Sequence, residues 1–233
     1  MKKRWITVML LALMLTGCSG PAAEADSAAL LPDTRKYVAL TFDDGPSFST
    51  TPRLLDGLQQ RGAAATFFVV GDSIAGKENL LQRMIAEGHQ VGNHTWSHLR
   101  LEEAPATVVQ REISRTEEAL ADALGGKDYW LRLPYGLLPQ HSEHLVQVPL
   151  IKWSVDPRDW ESRDKNAIVS SVLEQVQNGS IILLHDIYPA SVDAALEIVD
   201  RLQQEDYWFV TVQELFQLNG ITPQPGVMYR SAL

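Results

Sequence analysis

Apolar and polar positions along this chain change period repeatedly. Residues 37–43 (YVALTFD) are a run of strand-forming side chains that ends in two adjacent carboxylates, Asp43 and Asp44, and Gly45-Pro46 then stops the strand. Residues 51–61 place Leu54, Leu55 and Leu58 on one face of a helix. A buried strand is predicted at 64–71 (AATFFVVG), a helix at 78–87, a short strand at 90–93, and a long helix with outward charges at 104–124. Strands at 129–133 and 150–155 flank a poorly patterned segment at 140–148. A helix at 166–177, closed by Asn178-Gly179, leads to the near-continuous apolar strand 180–185 (SIILLH). A helix at 190–204, a strand at 208–212 and a helical turn at 213–216 complete the series.

Those seven predicted strands alternate with six or seven helices, without a repeat or a long linker. Strands that lack polar alternation belong to a parallel sheet covered on both faces, which is either an open doubly wound sheet or a closed barrel. In both, ligands sit at the carboxyl ends of the strands. The polar residues that break the apolar runs fall there: Asp43-Asp44, His94, Arg132, Asp156/Asp159 and His185 each end or immediately follow a predicted strand.

Composition and charge change the picture mainly at the amino terminus. Lys2, Lys3 and Arg4 precede an apolar run over 5–16 that is too short to span a bilayer comfortably and reads as an export signal. Leu15-Thr16-Gly17-Cys18 resembles the bacterial lipoprotein cleavage box, so residues 1–17 are expected to be a signal peptide and Cys18 the lipidated first residue. Residues 18–35, rich in Ala with two prolines, read as a tether, 36–217 as the folded domain and 218–233 as a tail. Cys18 is the only cysteine, which leaves no disulfide and no thiolate metal ligand. With the three leader cations removed, 17 Lys+Arg face 29 Asp+Glu, a net charge of −12 that argues against a nucleic-acid partner. The expected setting is extracytoplasmic, on a bacterial membrane through the lipid anchor, as a monomer.

The candidate chemistry gathers in two short stretches. Asp43 and Asp44 can serve different ends at one strand mouth, one as a metal ligand and the other as a free base. His94 and His98 are four residues apart, and a helical turn after His94 would aim both rings at one cation. No Glu follows His94, so a helix carrying its own base, as in zinc proteases, is excluded. Two imidazoles and one carboxylate leave coordination positions open, the arrangement of a catalytic metal. His89, His141 and His144 have no comparable setting and read as surface or packing residues.

These stretches resemble the motifs of the polysaccharide deacetylases (carbohydrate esterase family 4). Thr41-Phe42-Asp43-Asp44-Gly45-Pro46 is similar to the family's first motif and His94-Thr95-Trp96-Ser97-His98 to its second. Arg132-Leu133-Pro134-Tyr135-Gly136 resembles the third, with Leu133 where a proline is usual. Asp156-Pro157-Arg158-Asp159-Trp160 resembles the fourth and Leu183-Leu184-His185 the fifth. The resemblance runs over about 36–216, with all five motifs in order, and the segment between Gly136 and Trp153 is short and atypical. It implies the fold of that family, an α/β, irregular (β/α)7 barrel of parallel strands.

The resemblance also implies roles. Asp44, His94 and His98 would hold a divalent metal, zinc first, with cobalt, nickel or manganese as alternatives. Asp43 would be the base, oriented by Arg132. The backbone N–H of Tyr135 would stabilise the oxyanion, and His185, held by Asp159, would be the general acid. Leu183 and Trp160 would wall a pocket for the acetyl methyl, while Asp156 and Asp186 read as loop or supporting residues. The expected function is N-deacetylation of N-acetylglucosamine-type units in an extracytoplasmic polysaccharide. Its rivals are an O-acetyl esterase on xylan-like glycans with the same site, a catalytically inactive metal- or glycan-binding lipoprotein, and a lipid-anchored solute receptor, which the single strand-helix series disfavours.

Overall fold

At the centre lies β1 (Lys36–Asp43), whose last six residues are all buried. The structure is a computed structural model and describes residues 35–137 and 143–232. One edge of β1 pairs in parallel with β5 (Ile181–His185), in register from Ala39 opposite Ile181 to Asp43 opposite His185. Its other edge takes β6 (Tyr207–Phe209) against Lys36, Tyr37 and Val38, then β2 (Thr66–Val69) against Thr41, Phe42 and Asp43. β3 (Gln90–Asn93) follows in parallel beside β2. Strands bound on both edges and covered on both faces must be apolar throughout, which is why β1, β2 and β5 read as uninterrupted apolar runs.

Beyond β3 the ladder thins to single parallel bridges: Asn93 to Leu131, Leu131 to Leu150, and Val155 to Ile182. These carry the sheet round to β5, so the closed, irregular barrel holds and the open sheet does not. The predicted strands at 129–133 and 150–155 are correspondingly reduced. The first is one bridge at Leu131, and the second is β4 (Leu150–Ile151) followed by the bridge at Val155. The cause is local. The Arg132 side chain donates to the carbonyls of Ile151 (3.2 Å) and Lys152 (2.9 Å), which a regular ladder would have used. Pro134 and Pro149 supply no N–H to such a ladder.

The outer layer consists of α1 (Thr51–Gln60), α2 (Glu78–Ala86), α3 (Ala106–Leu124), the short α4 (Asp159–Ser162), α5 (Lys165–Gln175), α6 (Pro189–Gln203) and α7 (Val212–Leu218). Leu54, Leu55 and Leu58 of α1 join the main core with Phe42 and Phe67, whose rings stack 5.2 Å apart. Local caps set the helix starts: Asp164 accepts from the N–H of Ala167 at 2.8 Å before α5, and Thr211 with Glu214 forms a capping box at α7.

The segment read as a tail is part of this body. Met228–Tyr229 forms β7, parallel to β4. Leu150 N–H donates to Val227 O (3.0 Å), Lys152 N–H to Tyr229 O (2.7 Å), and Ala232 N–H to Gly179 O (2.9 Å). Residues 227–232 thus occupy the gap where β4 and β5 splay apart, and satisfy backbone groups that would otherwise lack partners. The signal peptide 1–17, Cys18, the tether up to residue 34 and His141 lie outside the described residues. Among the described residues, no helix is long and apolar enough to cross a membrane.

Candidate active site

The two aspartates diverge because the chain turns over between them. Asp43 keeps strand geometry and is buried, whereas Asp44 has a positive φ of 71°. Gly45 is required next, since a β-carbon there would lie 2.2 Å from Oδ1 of Asp186. Asp43 Oδ1 accepts from Nη1 of Arg132 at 2.8 Å, and the same nitrogen donates to Thr41 Oγ1 at 2.7 Å. Arg132 is fully buried, with its guanidinium 4.2 Å from the Phe68 ring centre.

His94 and His98 are not on a helix. β3 ends at Asn93, and the loop from His94 to His98 contains two left-handed residues, Thr95 (φ 65°) and His98 (φ 55°). That turn, in place of the expected helical one, brings the two rings to a centroid distance of 5.0 Å. His94 Nδ1 lies 2.7 Å from the carbonyl oxygen of Arg132. A carbonyl can only accept, so Nδ1 carries the proton and Nε2 of the neutral ring keeps its lone pair. Nε2 is 3.5 Å from Asp44 Oδ1 and 3.6 Å from Asp43 Oδ2, while His98 Nε2 is 3.3 Å from Asp44 Oδ1.

This donor set fits a divalent cation. Asp44 Oδ1 is buried with no hydrogen-bond partner, and the ligand atoms of Asp44, His94 and His98 lie within 4.8 Å of one another. Burial opposes the charge on Asp44, but the nearby His94, with His185 and His98, outweighs it and lowers its pKa to about 2. Burial likewise opposes a charged His94, yet Asp43 and Asp44 raise its pKa above the ordinary value. A pocket that draws positive charge onto a buried imidazole suits a metal ion.

On the other side of the cleft, β5 ends at His185 beside the start of α4. Asp159, fully buried, accepts from the backbone N–H of His185 at 2.9 Å and pairs with its Nδ1 at 2.8 Å. Burial opposes the imidazolium, but the hydrogen bond and charge of Asp159, then Asp43 and Asp44, raise the His185 pKa to about 9. His185 Nε2 is 4.0 Å from Asp44 Oδ2.

Asp43, Asp44, His94, His98 and His185 open into a cleft of about 350 Å³ that Tyr135, Trp160 and Leu183 also line, with Arg132 and Asp159 buried behind it. Trp153, Asp156 and Tyr188 line it too. The sequence reading does not single out Trp153 and Tyr188: Tyr188 follows the end of β5 and carries the signal that marks the others, whereas Trp153 falls inside the strand expected at 150–155 and is freed because β4 stops at Ile151. A larger hollow of about 650 Å³ lies beside His89, Gln90 and Gln213, at the amino end of β3, and gathers none of these side chains. His89 is a packing residue there, its Nδ1 accepting from Ala65 N–H at 3.1 Å, and His144 is exposed. Asp186, read as a loop or supporting residue, is fully buried and accepts from the Thr51 hydroxyl. Its burial raises its pKa to about 7, with Thr51 opposing and Asp44 adding to the effect.

The family described as polysaccharide deacetylase matches residues 31–148. A chitooligosaccharide deacetylase of Rhizobium leguminosarum bv. phaseoli is 40% identical over 194 residues, which cover 81% of this chain and 81% of that one. The chain belongs to the polysaccharide deacetylase family. Another relative within it is the peptidoglycan-N-acetylglucosamine deacetylase PgdA of Listeria monocytogenes serotype 1/2a, 38% identical over 183 residues. That match covers 78% of this chain but only 39% of PgdA, so the chain spans about two fifths of the relative's length. Among solved structures, a family 4 acetyl xylan esterase from Clostridium thermocellum in complex with a cobalt ion superposes with a TM-score of 0.80 at 32% identity, covering 84% of this chain and 98% of that one. The chain thus shares the parallel α/β fold of this solved member of the family.

Proposed function

We propose that this member of the polysaccharide deacetylase family is a metal-dependent N-deacetylase, which hydrolyses the acetamide of N-acetylglucosamine-type units in an extracytoplasmic glycan. One observation carries the reading: a buried base and a separate acid, each fixed by its own charged partner, face one cleft across a ready cation site. Those are Asp43 on Arg132 and His185 on Asp159, on either side of Asp44, His94 and His98. The export signal with Cys18 at its end supports a lipid anchor, and with it an extracytoplasmic place near cell-wall glycans.

Asp44, His94 and His98 would hold a divalent cation, zinc by the character of two imidazoles and one carboxylate. Such an ion supplies Lewis acidity to the acetyl carbonyl and to the attacking water. Arg132 occupies Oδ1 of Asp43 and leaves Oδ2 as the oxygen that takes the proton from water. Trp160 and Leu183 enclose the acetyl methyl, and the backbone N–H of Tyr135 donates to the oxyanion that develops on the carbonyl. Asp159 keeps the Nδ1 proton of His185 in place and holds the ring charged, so the Nε2 proton is available for the nitrogen as its bond to the acetyl carbon breaks. Acetate and a free amine are the products.

O-acetyl ester hydrolysis is the second reading, favoured by the likeness to the acetyl xylan esterase at a TM-score of 0.80. An alcohol leaves more easily than an amine, so it needs His185 less. Acetate release from chitooligosaccharide and from acetylated xylan, with Asp43→Asn and His185→Ala beside the wild type, separates these readings. Release from chitooligosaccharide that both substitutions abolish is the expected result. Release from xylan alone favours the esterase. Wild type no faster than the variants, while still binding zinc, leaves a binding protein.

A further inference from the structure

We propose that Glu112, on the outer helix α3 and outside all five motifs, is a positioning residue that fixes His98 for metal binding. The proposal rests on the metal-centre reading above. The loop from His94 to His98 follows no regular secondary structure and includes two residues with positive φ, so its shape must be imposed from outside. Its first part hangs on backbone partners: His94 N–H donates to Val69 O (2.9 Å), Gly71 N–H to Thr95 O (2.9 Å) and Asp72 N–H to Trp96 O (2.9 Å). Asn93 assists, its Oδ1 accepting from Thr95 N–H at 2.8 Å.

At Ser97 the partner changes to a side chain. Glu112 Oε2 accepts from Ser97 N–H at 2.8 Å, and the Ser97 hydroxyl lies 3.1 Å and 3.0 Å from the two carboxylate oxygens. Glu112 is only 5% exposed, unlike the outward charges expected of that helix. Its own turn is braced, since Thr116 Oγ1 donates to Glu112 O at 3.1 Å and Arg115 lies over the Trp96 ring at 3.9 Å. Ser97 is bonded directly to His98, whose φ of 55° decides where its Nε2 points. His98 has a side chain 30% exposed, whereas His94 is locked by its own Nδ1 bond. The His98 ring packs against those of His94 (5.0 Å) and Tyr135 (5.1 Å), and a carboxylate that clamps the preceding peptide adds the backbone anchor that these ring contacts do not supply.

The test is zinc affinity of the full chain, measured by competition with a chromophoric chelator, alongside thermal melts. Glu112→Ala is expected to weaken zinc binding by about 10–100-fold, as loss of a supporting contact around a metal ligand does. Ser97→Ala should weaken it less. Glu112→Gln, which still accepts from the Ser97 N–H, should stay within about threefold of wild type. In a His98→Ala background, Glu112→Ala should cause no further loss, because its effect runs through that ligand. If Glu112→Ala does not fold, Ser97→Ala in the same two backgrounds decides the matter. Affinity unchanged in the single variants, or an equal loss with and without His98, overturns the proposal. Wild type that binds no zinc overturns the metal-centre reading and this one with it.

Discussion

Replacing Arg132 by Met should be the most informative single perturbation of this protein. Its guanidinium is fully buried and makes four contacts: Asp43 Oδ1 at 2.8 Å, Thr41 Oγ1 at 2.7 Å, Lys152 O at 2.9 Å and Ile151 O at 3.2 Å. Met fills most of the volume against Phe68 and donates to none of them. Removing one partner of a buried ion pair costs roughly 3–5 kcal/mol, because the other charge is left desolvated. His94 lies 3.6 Å from the second oxygen of Asp43 but compensates only in part, since its Nε2 also faces Asp44. Two stranded carbonyls add to the loss, so a net destabilisation of about 4 kcal/mol is expected. For a domain of this size that lowers Tm by roughly 8–16 °C. Urea unfolding of the metal-free protein measures it without interference from ion binding. The cause is tested by Asp43→Asn/Arg132→Met, which removes the lone charge and should recover about 2 kcal/mol or more relative to Arg132→Met. A loss below about 1 kcal/mol for the single variant, or a double variant no more stable than it, would refute the assignment of a buried, structurally coupled pair.

Three further outcomes are expected. In the metal-free protein, NMR titration should find His185 protonated up to about pH 9, and Asp159→Asn should return it to its ordinary value or below. Because the folded value is raised, the pair's stabilisation, about 3 kcal/mol, is complete below pH ~6.5 and disappears as pH rises through ~9, so the two proteins should converge in stability above that. Zinc at one hundred times its Kd should add about 2.7 kcal/mol of stability to wild type and none to Asp44→Ala, read as a shift in Tm. Removing residues 219–233 takes away the backbone partners of Leu150, Lys152 and Gly179 and should destabilise by roughly 2–4 kcal/mol, at about 1 kcal/mol per hydrogen bond plus lost burial. Hydrogen exchange at the Leu150 and Lys152 amides should accelerate in the truncated chain, and unchanged protection would return 218–233 to the status of a tail.

The strands were legible wherever they are enclosed on both sides. From Val38 to Phe42 in β1 and Ile181 to Leu184 in β5 every residue is buried, so these stretches are apolar but for Thr41, and the polar side chain that ends each run marks the cleft. At 129–133 and 150–155 most positions are again apolar, but the Arg132 guanidinium takes the carbonyls of residues 151 and 152 and the ladder fails. Nothing local in the sequence announces that, because the contact joins segments about twenty residues apart. The same holds for β7, whose two residues form a strand only because a gap awaits them beside β4. Glu112 was hidden for a related reason: a charge on a charged helix looks solvated until the fold brings the Ser97 backbone N–H to it.

By itself, the sequence determined the alternation of elements, the order of the chemical motifs and the end of the strands on which they lie, since these follow from periodicity and residue type along the chain. Tertiary structure alone decided that left-handed turns rather than a helix bring His94 and His98 together, and it supplied the contacts behind what the resemblance only implied: the closing bridges of the barrel and the bonds of Arg132 to Asp43 and Asp159 to His185. Periodicity records only whether a side chain faces apolar surroundings. Which distant atoms supply its hydrogen bonds is decided when the ring of strands closes and every buried polar group must find a partner.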